Sequence, residues 1–157
     1  MKGNKQILDR LNALLSDELT AVNQYMVHSE MCANWGFERL HKAIERRAID
    51  EMKHAEKLIG RILFLEGQPV VNHLNKIHIG ATVEAQHQND RTAEEGAIKA
   101  YNEGIRLAVD TGDNGTRELL DAILKDEEAH LDWLETQLDQ IQQLGIQNYL
   151  AEQTKAA

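Results

Sequence analysis

The stretches Glu51-Met52-Lys53-His54 and Glu127-Glu128-Ala129-His130 decide the fold of this chain. Each places a glutamate and a histidine one helical turn apart, so that on a helix the carboxylate and the imidazole point the same way. Glu18 and Glu94 precede the two pairs and are separated by the same interval as the pairs. Two such pairs and two further carboxylates, all directed inward, are the ligand set of a di-iron site in a four-helix bundle.

Apolar residues recur at helical spacing in four long segments, which predicts four long helices and an all-α fold. Their approximate bounds are 4–34, 38–65, 82–111 and 116–144. Each of the four glutamates falls in the middle of one apolar stripe. The two Glu-x-x-His pairs are therefore expected in the bundle interior.

The segments between the helices predict how the helices are connected. Gly67, Pro69 and Gly80 interrupt the pattern over 66–80, and about fifteen residues suffice for a crossover along the length of a bundle. The stretch Gly112-Asp113-Asn114-Gly115 predicts a tight turn, with Thr116 as the cap of the fourth helix. Gly145 ends that helix, and a short fifth helix is expected over 146–152.

Four carboxylates on inner stripes need neutralisation, because an unpaired buried charge costs several kcal/mol. The nearest basic side chains are Arg47 and Arg61, and two positive charges are too few to neutralise four carboxylates. Four glutamates and two histidines carry four negative charges, which balance two divalent ions. Mixed oxygen and imidazole ligation favours iron or manganese. The predicted ligands are Glu18, Glu51, His54, Glu94, Glu127 and His130.

The Glu-x-x-His spacing by itself is weak evidence, because it occurs four times in this chain. Glu38/His41 and Glu84/His87 share it, but they lie near predicted helix starts and lack the complete duplicated pattern. An isolated pair is more often an ordinary feature of a helix surface. All six residues together, in phase on four helices, indicate a metal centre.

Composition narrows the remaining possibilities. At 157 residues the chain is expected to form one domain, over 1–157. The net charge of -9 and the lack of a basic stripe argue against nucleic-acid binding. A single cysteine, Cys32, excludes an intramolecular disulfide, and no apolar stretch is long enough to span a membrane. The amphipathic start of the chain lacks a signal-peptide core, so a cytoplasmic location is expected.

The stretch Asp50–Glu56 resembles bacterioferritin, as do Met1–Gly3, Arg61–Gly67 and Asp132–Leu138. The likeness covers essentially the whole chain. It implies a ferritin-like bundle with a long crossover between helices 2 and 3 and a short fifth helix. It also implies a 24-subunit shell built from two-fold dimers, in which Fe2+ is oxidised by O2 or H2O2 and stored as ferric mineral.

The resemblance also assigns roles to individual residues. The six predicted ligands match the family's ferroxidase ligands, with Glu51 and Glu127 as the bridging pair. Met52 matches the haem ligand and would bind one haem b together with its counterpart in a second subunit. The haem would assist iron release, with a small ferredoxin as a candidate electron donor. From the residues alone, a helical methionine is usually a packing residue. Arg46 stands where some family members carry an iron-binding histidine.

Three other classes of protein are alternatives. A soluble di-iron oxidase that acts on an organic substrate is disfavoured by the short chain. A DNA-protecting mini-ferritin usually builds its iron site between subunits and often has a basic tail, whereas the tail 151–157 is nearly neutral. In a purely structural bundle, removal of metal would leave activity and all other properties unchanged.

Overall fold

The fold, seen in a computed structural model, is an all-α bundle of four long helices and one short one. The structure describes residues 1–156, so Ala157, the last residue of the predicted domain and tail, lies outside the described residues. Within these residues the helices are α1 (Lys5–Asn34), α2 (Glu38–Phe64), α3 (Val83–Asp110), α4 (Asn114–Leu144) and α5 (Ile146–Gln153). The predicted fold class and helix order are confirmed.

Polar caps fix the helix starts. The Asn4 side chain accepts hydrogen bonds from the backbone N–H groups of Gln6 and Ile7 at the start of α1. The prediction that Thr116 caps α4 is wrong: α4 begins at Asn114, and the side chain of Asp113 accepts the N–H of Thr116 at 3.0 Å. The aspartate accepts this bond because it lies three residues before the donor, which is the usual capping distance.

Two apolar clusters fill the bundle and leave a polar layer between them. One cluster includes Leu11 of α1 and Leu58 of α2, and the other includes Tyr25 of α1 and Ile44 of α2. Along all four long helices the predicted metal ligands fall between the residues of the first cluster and those of the second. Apolar packing on both sides therefore holds the ligand-bearing turns of the helices in place.

The segment between α2 and α3 runs along α1, as predicted for a crossover. Side chains at regular helical spacing on α1 hold its backbone. Asn12 accepts the N–H of Val70 at 2.8 Å, and Thr20 accepts the N–H of Asn75 at 2.9 Å. Further along, Gln24 and His28 accept the N–H groups of His78 and Gly80, both at 3.0 Å. Because these four α1 residues share one face, the crossover follows the bundle axis.

A buried ionic network joins α1, α2 and α3. Asp90 accepts hydrogen bonds from Arg47 at 2.8 Å, from Gln24 at 2.9 Å and from Nδ1–H of His28 at 2.9 Å. Because Nε2 of His28 accepts the Gly80 N–H, that ring is assigned as the neutral Nδ1–H tautomer. Burial alone would raise the pKa of the Asp90 carboxyl, but the Arg47 charge and the hydrogen bonds lower it.

The short helix α5 is anchored by a buried tyrosine. The Tyr149 hydroxyl donates to Gln137 at 2.6 Å and accepts Nε2–H of His87 at 3.0 Å. Burial, followed by the nearby Arg47 charge, lowers the pKa of His87 to about 3. His87 is therefore neutral in the folded protein at any pH near neutrality.

We expect His87 to make the protein less stable in acid. In the unfolded chain His87 takes up a proton as the pH falls through its ordinary pKa of 6.5, whereas in the folded chain it stays neutral down to about 3. The unfolded state then binds more protons, so stability is lost as the pH falls between these values, by at most about 1.4 kcal/mol per pH unit. The variant His87→Gln should flatten this loss, measured as melting temperature from pH 7 to pH 4.

The exposed His73 in the crossover supplies the matched control for this experiment. Since Asp90 and other carboxylates also titrate in acid, the comparison between variants isolates the His87 contribution. An acid profile of His87→Gln that overlays those of His73→Gln and the wild-type protein would contradict the prediction.

Within residues 1–156, no helix has both the length and the apolar character needed to cross a bilayer.

Candidate metal centre

The six residues predicted from the sequence meet at the middle of the bundle. Their side chains form two groups of four, and within each group the potential ligand atoms lie within 4.8 Å of one another. Glu18 and His54 belong to one group and Glu94 and His130 to the other, while Glu51 and Glu127 are common to both. The geometry therefore suits two neighbouring cations with two shared carboxylates.

Both imidazoles direct Nδ1 towards the carboxylates. His54 Nδ1 lies 3.3 Å from Glu51 and 3.2 Å from Glu127. His130 Nδ1 lies 3.3 Å from Glu51 and 3.4 Å from Glu127. Each histidine completes its own group through one further carboxylate, Glu18 at 3.5 Å from His54 and Glu94 at 3.4 Å from His130.

Nε2, the outer nitrogen of each imidazole, contacts an aspartate of the opposite helix. His54 Nε2 lies 2.8 Å from Asp126, and His130 Nε2 lies 3.1 Å from Asp50. Each aspartate immediately precedes a shared glutamate of the opposite helix. A carboxylate on Nε2 favours the Nε2–H tautomer, which leaves the Nδ1 lone pair free for a metal ion.

Two tyrosines orient the unshared carboxylates. The Tyr25 hydroxyl donates to Glu94 at 2.7 Å, and the Tyr101 hydroxyl donates to Glu18 at 2.5 Å. Each bond uses Oε1 and leaves Oε2 of the same glutamate without a hydrogen bond. Tyr101 is not among the residues predicted for the site, although Tyr25 and Tyr101 are separated by the same interval as Glu18 and Glu94. Extending that repeat to other residues would have found it.

The residues present fit metal ions because the buried inner atoms lack hydrogen-bond partners in the chain. A buried polar atom without a partner is costly and rare in native proteins. Here the unpartnered atoms converge on one point, and all are of types that bind iron. They are Oε2 of Glu18, Oε1 of Glu51, Nδ1 of His54, Oε2 of Glu94, both carboxylate oxygens of Glu127 and Nδ1 of His130.

Basic side chains do not neutralise the centre. Arg47 pairs with Asp90 at 2.8 Å, and Arg61 pairs with Asp113 at 2.8 Å. These were the two candidate counter-ions in the sequence, and neither has a salt bridge to the four glutamates among the described residues. Protons and cations from solution therefore remain as the means of compensating the charge, and cations are those that the sequence predicted.

In the absence of metal, side chains of the centre bind protons. Burial, followed by repulsion from Glu127, raises the pKa of Glu94 to about 7. Burial by itself would lower the pKa of His130, but the adjacent carboxylates of Glu127 and Glu51 raise it to about 12. The pKa of His54 is raised for the same reason. A metal ion binds the unprotonated forms, so metal binding should release these protons to solvent.

A cavity of about 240 Å³ reaches the centre from the α1/α3 side. Its wall includes Asp17, Thr92 and the crossover residue Asn75, and its inner end includes the four glutamates. The Asn75 side chain donates to Asp17 at 2.6 Å. The cavity gives a small cation an acidic path to the four glutamates.

Met52 lies apart from this centre. Its side chain is 44% exposed on α2, where Ile49, one turn earlier, is 42% exposed, and Met26 of α1 is 50% exposed. The residue therefore belongs to an outward apolar surface, as expected from its offset of about 100° from Glu51 on the helix.

A four-helix bundle with a long crossover and a duplicated carboxylate–histidine centre defines the class of ferritin-like di-iron proteins. The ferritin-like domain family matches residues 8–144. The bacterioferritin of Brucella melitensis is 40% identical over 95% of this chain and 92% of its own length. That of Rhodobacter capsulatus is 38% identical over the same shares, and that of Mycobacterium tuberculosis is 39% identical over 97% of this chain and 96% of its own. The chain belongs to the bacterioferritin family.

Proposed function

We propose that this protein oxidises Fe2+ at the buried centre and stores the iron as ferric mineral. The observation that carries the proposal is the convergence of unpartnered carboxylate oxygens and two Nδ1 atoms on one point between four helices. Glu18, Glu51, His54, Glu94, Glu127 and His130 are the proposed ligands, with Glu51 and Glu127 shared by both ions. The chain acts as one domain over 1–157.

Substrate binding begins at the 240 Å³ cavity, where Asp17 attracts Fe2+. The imidazolium and carboxyl protons leave as the ions take their places. Iron then balances the negative charge of the glutamates that protons balanced before. Each Fe2+ gives up one electron, so a pair supplies the two electrons that reduce O2 to H2O2 or H2O2 to water, with protons from solvent. The Tyr25 and Tyr101 hydroxyls keep the unshared carboxylates oriented while the iron charge rises.

We further propose a hollow shell of 24 subunits, built from two-fold dimers. The outward surface of α1 and α2 supports this proposal, because it exposes apolar side chains that a second copy would cover. Its members are Met26, Val27, Ile49, Met52 and Leu63, each at least 42% exposed. A cytoplasmic location follows from the same family assignment.

Met52 is the proposed haem ligand. The thioether lies among the exposed apolar side chains of α1 and α2, and one chain supplies one such ligand. Met52 of a second copy would complete the pair, and the two methionines would hold one haem b at the proposed two-fold contact. When bound, haem supplies one-electron transfer for release of stored iron, and a small ferredoxin is the candidate donor.

Three measurements together test the proposal. They are size-exclusion chromatography with light scattering, an absorption spectrum of each fraction and stopped-flow absorbance after Fe2+ addition. We expect a particle of roughly 24 subunits, a Soret band that co-elutes with it and a fast ferric rise. A small species without ferric absorbance would overturn the proposal. A haem-free shell that oxidises Fe2+ would support the oxidation and storage roles. It would contradict the haem role of Met52, which would then be a packing residue.

A further inference from the structure

A second cavity, of about 180 Å³, lies between α2 and α4 beside His130. Its wall includes Arg46, Arg47, Asp50 and Trp133. It is distinct from the acidic cavity on the α1/α3 side and is bordered by two adjacent guanidinium groups. The proposed iron chemistry gives neither arginine a role.

Arg47 is only 4% exposed, yet it uses few of its hydrogen-bond donors. A guanidinium carries five N–H groups. Nη2 donates to Asp90 at 2.8 Å, whereas Nε and Nη1 have no partner in the chain. The centre of the group lies 4.3 Å from the ring centroid of Tyr25 and 5.5 Å from that of Trp133. Stacking of this kind uses the faces of the guanidinium and leaves the N–H groups on its edge available.

Buried donors without partners call for an acceptor, because leaving them unpaired is costly. Guanidinium groups match tetrahedral oxyanions in charge and in hydrogen-bond geometry. We propose that this cavity binds a small oxyanion of the inorganic phosphate class. Arg47 would supply the buried donors, and the exposed Arg46 would supply a second positive charge at the cavity wall.

The one carboxylate in the wall, that of Asp50, has one oxygen paired with His130. Asp50 lies 3.1 Å from Nε2 of His130 and so faces the imidazole. Asp90 occupies the Nη2 edge of Arg47 and leaves the Nε and Nη1 donors free. The wall therefore holds two guanidinium groups, those of Arg46 and Arg47, and two nitrogens of Arg47 have no partner in the chain.

The location suggests a role for the anion, and this step rests on the proposed function. Oxidation of two Fe2+ ions adds two positive charges next to His130. An oxyanion held on the far side of that imidazole would offset part of this charge. It would also offer an oxygen ligand to ferric iron as the iron leaves the centre.

Calorimetric titration of the metal-free, full-length assembly with inorganic phosphate at constant ionic strength tests the site. We expect saturable binding at one anion per subunit. Arg47→Lys keeps a charge beside Asp90 but loses the Nε and Nη1 donors, and it should weaken binding about tenfold. Arg46→Gln should weaken binding by roughly fivefold. Arg106→Gln on the exposed face of α3 makes the same charge change away from the cavity and should bind like the wild type.

Two outcomes would overturn the site: no saturable phosphate binding by the wild-type protein, or equal weakening by Arg46→Gln and Arg106→Gln. If Arg47→Lys does not assemble, the Arg46 and Arg106 variants decide the matter. Because the titration uses metal-free protein, failure of iron oxidation would leave a positive result intact. An absent anion site would likewise leave the oxidation proposal untouched.

Discussion

Glu127→Ala is expected to reduce the initial rate of Fe2+ oxidation by roughly 100-fold or more. Substitution of residues that merely support metal ligands already costs 10–100-fold in metal affinity or activity, so loss of a ligand should cost at least about the upper end. Glu127 belongs to both groups of four, and neither of its carboxylate oxygens has a partner in the chain. Its loss would therefore weaken both ion sites together. Stopped-flow absorbance at substoichiometric Fe2+ measures the effect.

The neighbouring Glu128 provides the matched control, because it is exposed and lies one residue along the same helix. Glu128→Ala makes the same change of charge and should oxidise Fe2+ at the wild-type rate. Both variants should assemble, because the apolar clusters on either side of the centre are unchanged. A Glu127→Ala protein that assembles and keeps the fast ferric rise would refute the assignment of Glu127 as a shared ligand.

Asp90→Asn is expected to destabilise the fold by about 3–5 kcal/mol, which is the usual cost of removing one partner of a buried ion pair. Asp90 is fully buried, and it accepts hydrogen bonds from α1 and α2 while lying on α3. The variant leaves the Arg47 charge buried without a counter-ion. In a chain of this size the loss should lower the melting temperature by roughly 10 °C.

Asp110→Asn is the control for this second experiment. Asp110 is the last residue of α3 and is exposed. Its substitution by asparagine removes one negative charge from the same helix, as Asp90→Asn does. Its melting temperature should stay close to that of the wild-type protein, because single exposed charges contribute little. Equal melting temperatures for Asp90→Asn and the wild-type protein would show that the buried network does not stabilise the bundle.

The metal centre was accessible to sequence reasoning because helical geometry is local. Glu51 and His54 lie one turn apart, so their common direction follows from the helix itself. The repeat of the pair at Glu127 and His130 then gave four stripes with polar residues at their middles. The same repeat contains Tyr25 and Tyr101, which orient Glu94 and Glu18. A wider comparison of the two halves would have revealed Tyr101 as the counterpart of Tyr25.

Other contacts could not be read from the chain because their partners are distant in sequence and have no fixed spacing. Asp90 on α3 meets Arg47 on α2, although Arg47 had been considered as a counter-ion for the four glutamates. The start of α4 shows a different limit. Asp113 and Thr116 are both good capping residues, and only the backbone conformation selects Asp113.

The sequence by itself determined the four amphipathic helices, the crossover and the convergence of four glutamates and two histidines, because these depend on helical periodicity. Only the tertiary structure decided how the chain surrounds that centre. It paired His54 with Asp126 and His130 with Asp50 across α2 and α4. It also placed Arg47, two of whose nitrogen atoms have no partner in the chain, in the wall of a cavity. Such pairings depend on which helix faces which and on how far each is rotated, and packing of the whole bundle sets both.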